Sequence, residues 1–423
     1  MILALLLALQ DTTRLSLDAA VRSALGQYPT VAVARAAQGR ARADLRESGS
    51  QQLPRVTLDG SATQYQLPAI VYPLHGLPPG ANPVFDRSLF QGSAFVSWTF
   101  YDFGARGGRT RASRELAGAA DAALGAAEQA LIARTAGTYL RVLTARQVLA
   151  AQDQRIDAIA AETGRTRRLL AEGKIARIEQ LRADATLARA RAERSAIAGQ
   201  LDVAEHELTR LIAQPFSQLT DVALKDSTVI RGAVDQSPDL VELRRRVAAT
   251  RAGLAAARAT RLPELRASAG IVDRASSRSD FRAEWQAGVG VSYPLYTGGQ
   301  RGAAIARAEA DTRIAAEQLR LAEFTVEQNL DRAIAGVVEA HARVEALRSA
   351  SLSSDTVAAI ERTSLEVGSG TQINYLDALA IALQARSQLI EARHNEIAAR
   401  IELARLTGDL SPEWLATHLE SVP

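Results

Sequence analysis

The chain contains no cysteine among its 423 residues and only one methionine. Disulfides, thiolate metal sites and a lipidated N-terminal cysteine are therefore excluded, and a relay for soft metal ions has almost no sulfur to use. Long hydrophobic runs are also missing. The best candidate, Ile2 to Leu9, is too short to cross a bilayer as a helix and fits the core of a signal peptide over residues 1–10, with cleavage near Ala8. Any membrane role is thereby left to strands. Proline is absent from residues 84–214 and 295–411, although the chain has 13. Helix interiors exclude proline at a cost of roughly 3 kcal/mol, so these tracts, rich in Ala, Leu, Arg and Glu, read as long helices. The net charge is only +3. Its cations are nearly all arginine, alternate with acids, and form no cluster with aromatics, which argues against a nucleic-acid partner.

What is present is a repeat. YPTVAVARAAQGRARADLRESGSQQLP, with Pro29 and Pro54, is answered by SPDLVELRRRVAATRAGLAAARATRLP, with Pro238 and Pro263. Further along, Gly173, Leu181 and Leu211 are answered by Gly368, Leu376 and Leu406. The first copy carries extra turn-rich residues near LPAIVYPLHGLPPGANP. One structural unit is built twice.

Each Pro-free tract follows a heptad. Ile197, Leu201, Ala204, Leu208 and Leu211 form one seam. Ile373, Leu376, Ala380, Leu383, Ile390, Ile397 and Ile401 form another, with Ser387 and His394 filling two of its positions. Val142, Leu149 and Ile156 recur every seven residues. Coiled-coil spacing broken once by glycine, at Gly173 or at Gly368 and Gly370, predicts a helical hairpin in each copy.

Other segments alternate with period two. Phe90, Gly92, Ala94, Val96, Trp98 and Phe100 alternate with polar residues, apart from Phe95; Trp285, Ala287, Val289, Val291, Tyr293 and Leu295 do likewise. Shorter alternating runs precede them at Val56–Ala62 and Leu265–Ile271. Windows 54–103 and 263–296 hold 13 of the 19 aromatics, clustered near strand ends as interfacial girdles require. The pattern predicts transmembrane strands with Val96, Trp98, Phe100, Trp285, Val289 and Val291 facing lipid. A soluble sheet with one wet face would alternate in the same way. Four strands cannot close a barrel, so an oligomer is expected.

The expected boundaries are a signal peptide over 1–10, a first repeat over 11–213, a linker over 214–237, a second repeat over 238–408 and a tail over 409–423. The first repeat holds strands 54–66 and 88–101 and a hairpin over 104–213. The second holds strands 263–273 and 283–296 and a hairpin over 300–407.

No enzyme is visible. His75, His206, His341, His394 and His418 are scattered, and neither GSG at 368–370 nor GARGG at 104–108 is followed by Gly-Lys-Ser/Thr. No catalytic residue, cofactor or metal site is expected.

The duplicated halves, with WTFYDFGARGGR at Trp98–Arg109, YPLYTGGQRGAA at Tyr293–Ala304 and VGSGTQINYLDA at Val367–Ala378, resemble the outer-membrane efflux channels of the TolC type. The resemblance implies an α+β membrane fold. In it, a homotrimer pools four strands per chain into a 12-stranded barrel in outer-membrane lipid, and the helical hairpins form a periplasmic tunnel. It also implies an exit duct served by an inner-membrane transporter and a periplasmic adaptor (membrane fusion) protein. Asp377 falls on one acidic position of the family's periplasmic gate, and Asn374 falls where a second carboxylate is often found. Leu365 and Gly370 stand where better-known members carry the Tyr and Arg of closing links. Gly173, Lys174, Gly368, Ser369 and Gly370 would be the tips that meet the adaptor. A coiled-coil scaffold or adaptor without a barrel is the alternative; an adaptor would carry one hairpin, not two.

Overall fold

A computed structural model describes residues 14–76, 79–225 and 237–422. The signal-peptide segment 1–10, and residues 226–236 of the linker segment, lie outside the described residues.

The duplication is visible in element lengths. The first copy runs through α2 (Pro29–Ser50), β1 (Arg55–Ile70), β2 (Phe85–Tyr101), α3 (Ala105–Ala171) and α4 (Arg177–Ile212). The second runs through α5 (Pro238–Ala259), β4 (Glu264–Ser276), β5 (Ser279–Ser292), α6 (Gln300–Glu366) and α7 (Gln372–Thr407). Helices α2 and α5 have 22 residues each, α3 and α6 have 67, and α4 and α7 have 36. Helix α1 (Leu17–Gln27) precedes the first copy, with the Ser16 hydroxyl accepting from the Ala19 N–H as its cap.

The strand ends differ from the alternation. β1 and β2 run to Ile70 and back from Phe85, longer than expected. β5 begins at Ser279 and stops at Ser292, so Tyr293, Leu295 and Tyr296 lie beyond it. Pro294 supplies no N–H to a ladder, which accounts for the stop. The linker and tail segments also carry structure. β3 (Asp221–Leu224) pairs antiparallel with β6 (Leu419–Val422), which follows α8 (Pro412–His418).

The chain divides into two compact units, each assembled from pieces of both copies. One comprises residues 1–36, 122–241 and 321–423; the other comprises residues 37–121 and 242–320. In the first, Leu208 and Ile212 of α4, Tyr139 and Leu143 of α3, and Ile397 and Ile401 of α7 share a core with α1, β3 and α8. The Tyr139 hydroxyl lies 2.7 Å from both the Leu15 and the Thr220 carbonyl oxygens, so a fully buried side chain anchors two segments that also meet through a parallel bridge between Leu15 and Leu219. The heptad seams are buried here and loosen toward the hairpin ends. Leu208 and Ile397 are inaccessible, whereas Ile373 in the first turn of α7 is exposed. Near that end Ala358 of α6 meets Ala378 and Ala382 of α7, small residues that let the arms approach closely.

The second unit contains a four-stranded antiparallel sheet of order β1-β2-β4-β5. The WTFYDFGARGGR segment turns β2 into α3. Trp98 Nε1 donates to the Gln52 carbonyl, and Arg106 donates to the carbonyls of Gln51 and Thr99. Asp102 accepts from the backbone N–H groups of Gly104 and Arg106 and pairs with the Arg106 guanidinium at 2.8 Å. Burial would raise the Asp102 carboxyl, but the hydrogen bonds and charge of Arg106 outweigh it and hold it below the usual carboxylate range. Gly108 is required by packing, because a Cβ there would come within 2.8 Å of the Ala256 Cβ on α5.

Candidate membrane surface, gate and hairpin tips

The sheet register sorts side chains onto two faces. One row reads Leu58, Ala94, Ile271, Trp285; the next reads Val56, Val96, Ala269, Ala287; a third joins Trp98, Ala267 and Val289. Residues two apart along a strand share a face, so Val96, Trp98, Trp285, Val289 and Val291 all lie on one apolar face. That face is open: Trp285, Val289 and Val291 are 78%, 72% and 70% exposed. Contiguous exposed apolar surface of this kind calls for a partner, lipid or protein. Phe100 behaves differently. A bulge between Thr99 and Tyr101 leaves it without a register partner, and Tyr101 takes the row of Leu265 and Val291. Tyr101 is therefore an apolar-face residue that strict alternation assigned to the other side.

The opposite face carries Arg55, Thr57, Asp59, Ser93, Ser97, Arg274, Arg282 and Glu284. Phe95, the outlier of the alternation, lies on this face against Gly270. A Cβ at Gly270 would fall 2.2 Å from the Phe95 ring, so the glycine accommodates the aromatic. Strands β1 and β5 are both edges of this sheet. Among the described residues no helix is long and apolar enough to cross a membrane.

The two hairpin tips use one device. After α3, the Gly173 N–H donates to the Leu170 carbonyl and the Lys174 N–H to that of Leu169. After α6, Gly368 donates to Leu365 and Ser369 to Ser364. Both pairs form a Schellman cap, with Gly173 at φ +69 and Gly368 at φ +78. The second tip is tighter: the Gly370 N–H also donates to the Ser364 carbonyl, and a Cβ on Gly370 would sit 2.9 Å from that of Ser364. Lys174 is exposed and pairs with Glu172 at 2.7 Å.

Asn374 and Asp377 lie in the first two turns of α7, both exposed. The Asn374 N–H donates to the Thr371 hydroxyl, the N-cap of the helix. The two head a longer exposed stripe, Asn374, Asp377, Ile381, Gln384, Gln388, Glu391 and Asn395, spaced alternately three and four. That stripe holds carboxylates, amides and one isoleucine, and no cation. Farther from the tip, Arg386 ties α7 to Asp355 of α6 through 2.8 and 3.1 Å contacts.

Deeper in the same unit, sequence reasoning saw His394 only as a seam residue. It is buried, with Nδ1 2.6 Å from the Thr144 hydroxyl and Nε2 3.7 Å from Asp221. Burial pushes its imidazole below the usual histidine value, with Asp221 opposing. Among the described residues no group of three or more His, Cys, Asp or Glu could hold a metal ion.

The family model described as "Outer membrane efflux protein" matches residues 20–214 and 229–409. The chain belongs to that family. Outer membrane protein TolC of Salmonella enteritidis is 24% identical over 308 residues, which cover 68% of this chain and 63% of TolC. The chain thus spans less than two thirds of the length of that curated relative. Among solved structures, a membrane protein from Pseudomonas aeruginosa superposes with a TM-score of 0.79 at 21% identity, covering 92% of this chain and 93% of the other. The Campylobacter jejuni CmeC outer membrane channel also gives 0.79, at 15% identity, covering 95% and 88%. The fold is that of the outer-membrane efflux channels, duplicated helical hairpins with a four-stranded β component, and the family places the chain in the outer membrane. A scaffold without a membrane barrel is not favoured.

Proposed function

We propose that this protein is a passive outer-membrane exit duct, with no chemistry of its own, that exports small molecules or polypeptides delivered by an inner-membrane transporter and a periplasmic adaptor. The carrying observation is the four-stranded sheet with an exposed apolar face, a polar face and two unpaired edges. In lipid an open edge leaves backbone groups without partners, each costing several kcal/mol by rough estimate, so the sheet must join copies of itself into a closed barrel. A trimer gives twelve strands. Val96, Trp98, Trp285, Val289 and Val291 then contact lipid, with Tyr101 in the row that strict alternation gave to Phe100, and the opposite face lines water.

In the helical hairpins, three copies of Asp377 ring the narrow part of the passage, with Asn374 one turn nearer the tip. Gly173, Lys174, Gly368, Ser369 and Gly370 form the turns on which the adaptor docks. The decisive experiment is mass measurement on detergent-solubilised protein by light scattering or native mass spectrometry. Three chains are expected, and the protein should leave membranes only with detergent. A monodisperse monomer, or extraction in buffer alone, refutes the barrel.

A further inference from the structure

The first copy differs from the second most at the turn between its strands. β4 and β5 are joined by Ser277 and Arg278 alone, whereas β1 and β2 are joined by residues 71–84. Ile70 and Phe85 already stand opposite each other in the register, so the ladder needs only a short turn there. Residues 71–75 of this connection lie against the sheet and fold back over the second hairpin. Val71 and Tyr72 are buried, and the Val71 N–H donates to the Val84 carbonyl, closing the base of the loop. The Tyr72 hydroxyl donates to the Asp280 carbonyl, and the Arg282 guanidinium lies 4.8 Å from the Tyr72 ring centroid. His75 Nε2 is 2.5 Å from Glu284 Oε1, whose other oxygen is 3.4 Å from Arg274. Below this connection Asp86 is buried and accepts from the Ser277 hydroxyl at 2.7 Å.

The residues contacted select a face. Glu284, Arg282 and Arg274 share register rows with Asp59, Ser93, Gln91 and Ser61, all on the polar face. Val272, an apolar residue on that face, is buried. Glu284 is five residues along β5 from its start, roughly 16 Å at about 3.3 Å per residue. Residues 71–75 therefore reach down the polar side of the sheet.

We infer that the segment Val71–His75 is a strap across the outer mouth of the passage, held by Tyr72 and His75 on the second hairpin, and that it limits the size of solute that leaves. The inference rests on the duct reading, since only barrel closure turns the polar face into a lumen. Three straps, one per protomer, would then converge on the axis. Hydrogen bonds and a cation–π contact to exposed partners hold each one, so it is a constriction that can yield to large cargo.

The test uses the absence of cysteine. Ser97→Cys places one thiol on the polar face and Val96→Cys places one on the apolar face. Each is exposed in membranes to a small charged maleimide, and to a polyethylene-glycol maleimide of a few kilodaltons, from the outer side. With the strap intact, Ser97→Cys should react with the small reagent and resist the large one. Replacing residues 71–84 by Asn-Gly should raise its rate with the large reagent roughly tenfold. Tyr72→Ala with His75→Ala should produce part of that gain and covers the case in which the shortened loop impairs assembly. Unchanged protection of Ser97→Cys in either assembled variant overturns the strap while leaving the duct intact. Reaction of Val96→Cys and Ser97→Cys alike with the large reagent, in the otherwise unaltered chain, overturns the duct reading and the strap with it.

Discussion

Helices α4 and α7 have the same length, follow tips of the same construction, and coincide at positions 195 apart. The stripe Asn374, Asp377, Ile381, Gln384, Gln388, Glu391, Asn395 on α7 corresponds to Glu179, Arg182, Thr186, Arg189, Glu193, Ala196, Gln200 on α4. Arginines of α4 are answered by an aspartate and a glutamine. On α4 the charges pair locally, Arg182 with Glu179 and Arg189 with Glu193, each at 3.2 Å. Asp377 has no such neighbour on its stripe. The duplication preserved backbone geometry while the two faces took different electrostatic character. A self-neutralised face suits contact with protein or bulk solvent; a face without cations suits a water-filled passage that admits cations.

The same divergence runs through the sheet, where the largest effect is expected. Val96 and Val289 are equivalent apolar-face residues only if both hairpins meet lipid. Val289→Arg should cost roughly 2–4 kcal/mol near the bilayer midplane and deplete assembled trimer, with Val96→Arg similar. Gly290→Arg, on the polar face, should leave assembly largely intact. Trimer yield on native gels distinguishes the faces, and equal tolerance would mean that the sheet does not contact lipid.

The helix ends give a second contrast, of intermediate size. Helix α7 is capped by Gly408 at φ +84, but the equivalent residue after α4 is Ala213, held at φ +53. The left-handed region costs a residue with a Cβ about 1–2 kcal/mol, which glycine avoids. Gly408→Ala should therefore destabilise the first unit by about 1 kcal/mol, and Ala213→Gly should stabilise it by a similar or smaller amount. Phe103 and Gly298 form the same kind of pair where strand becomes helix, at φ +55 and +58. Denaturant midpoints of Gly408→Ala and Ala213→Gly measure the asymmetry. Opposite signs at 213 and 408 are the expected result.

Much of this was legible in the sequence because it is periodic. Helix lengths, the hairpin glycines and the apolar sets of the strands follow from proline exclusion, heptads and alternation. What was missed involves single residues or very short elements. Strands β3 and β6 have four residues each, too few for a period to show. Phe95 broke the alternation for a reason held by another strand, in Gly270. The bulge at Phe100 reassigned Tyr101, and nothing local to that stretch announces it. His394 occupies an ordinary seam position and Tyr139 belongs to no motif, and their polar partners, Thr144 and Asp221 or the carbonyls of Leu15 and Thr220, lie far away in the chain. The gate role of Asp377 and the docking role of the tips were assigned by resemblance alone, and the monomer adds their exposure and cap geometry.

A third contrast concerns pH. His394 of α7 corresponds to Gly199 of α4, so only the second copy places an imidazole in its seam. Its value in the folded protein lies below the unfolded value of 6.5. The unfolded chain therefore binds the proton more readily, and stability rises with pH. The contribution is complete above the unfolded value and is lost as pH falls below 6.5 toward the folded value. His394→Gln retains a group able to meet the Thr144 hydroxyl but cannot titrate. Its denaturant midpoint should be flatter than that of the unaltered chain over this range; an equal slope would assign the pH dependence to other groups.

The smallest effect on stability, and the most direct test of the α4–α7 contrast, is at Asp377. Asp377→Asn removes one exposed carboxylate per chain, and surface substitutions of this kind change stability within about 0.5 kcal/mol. Conduction should respond far more. Under the proposed gate, three like charges would concentrate cations at one constriction, so the variant in a planar bilayer should show weaker cation selectivity and less block by multivalent cations, with the trimer intact. Arg182→Gln, at the equivalent position of α4, removes a charge already offset by Glu179 and should leave selectivity nearly unchanged. Asn374→Ala has no charge to lose and should behave in the same way. If Asp377→Asn conducts like the unaltered protein across salt and pH, the carboxylate is only solvated. If Arg182→Gln shifts selectivity as much as Asp377→Asn does, then both helices line the passage and the division of labour between the two copies fails.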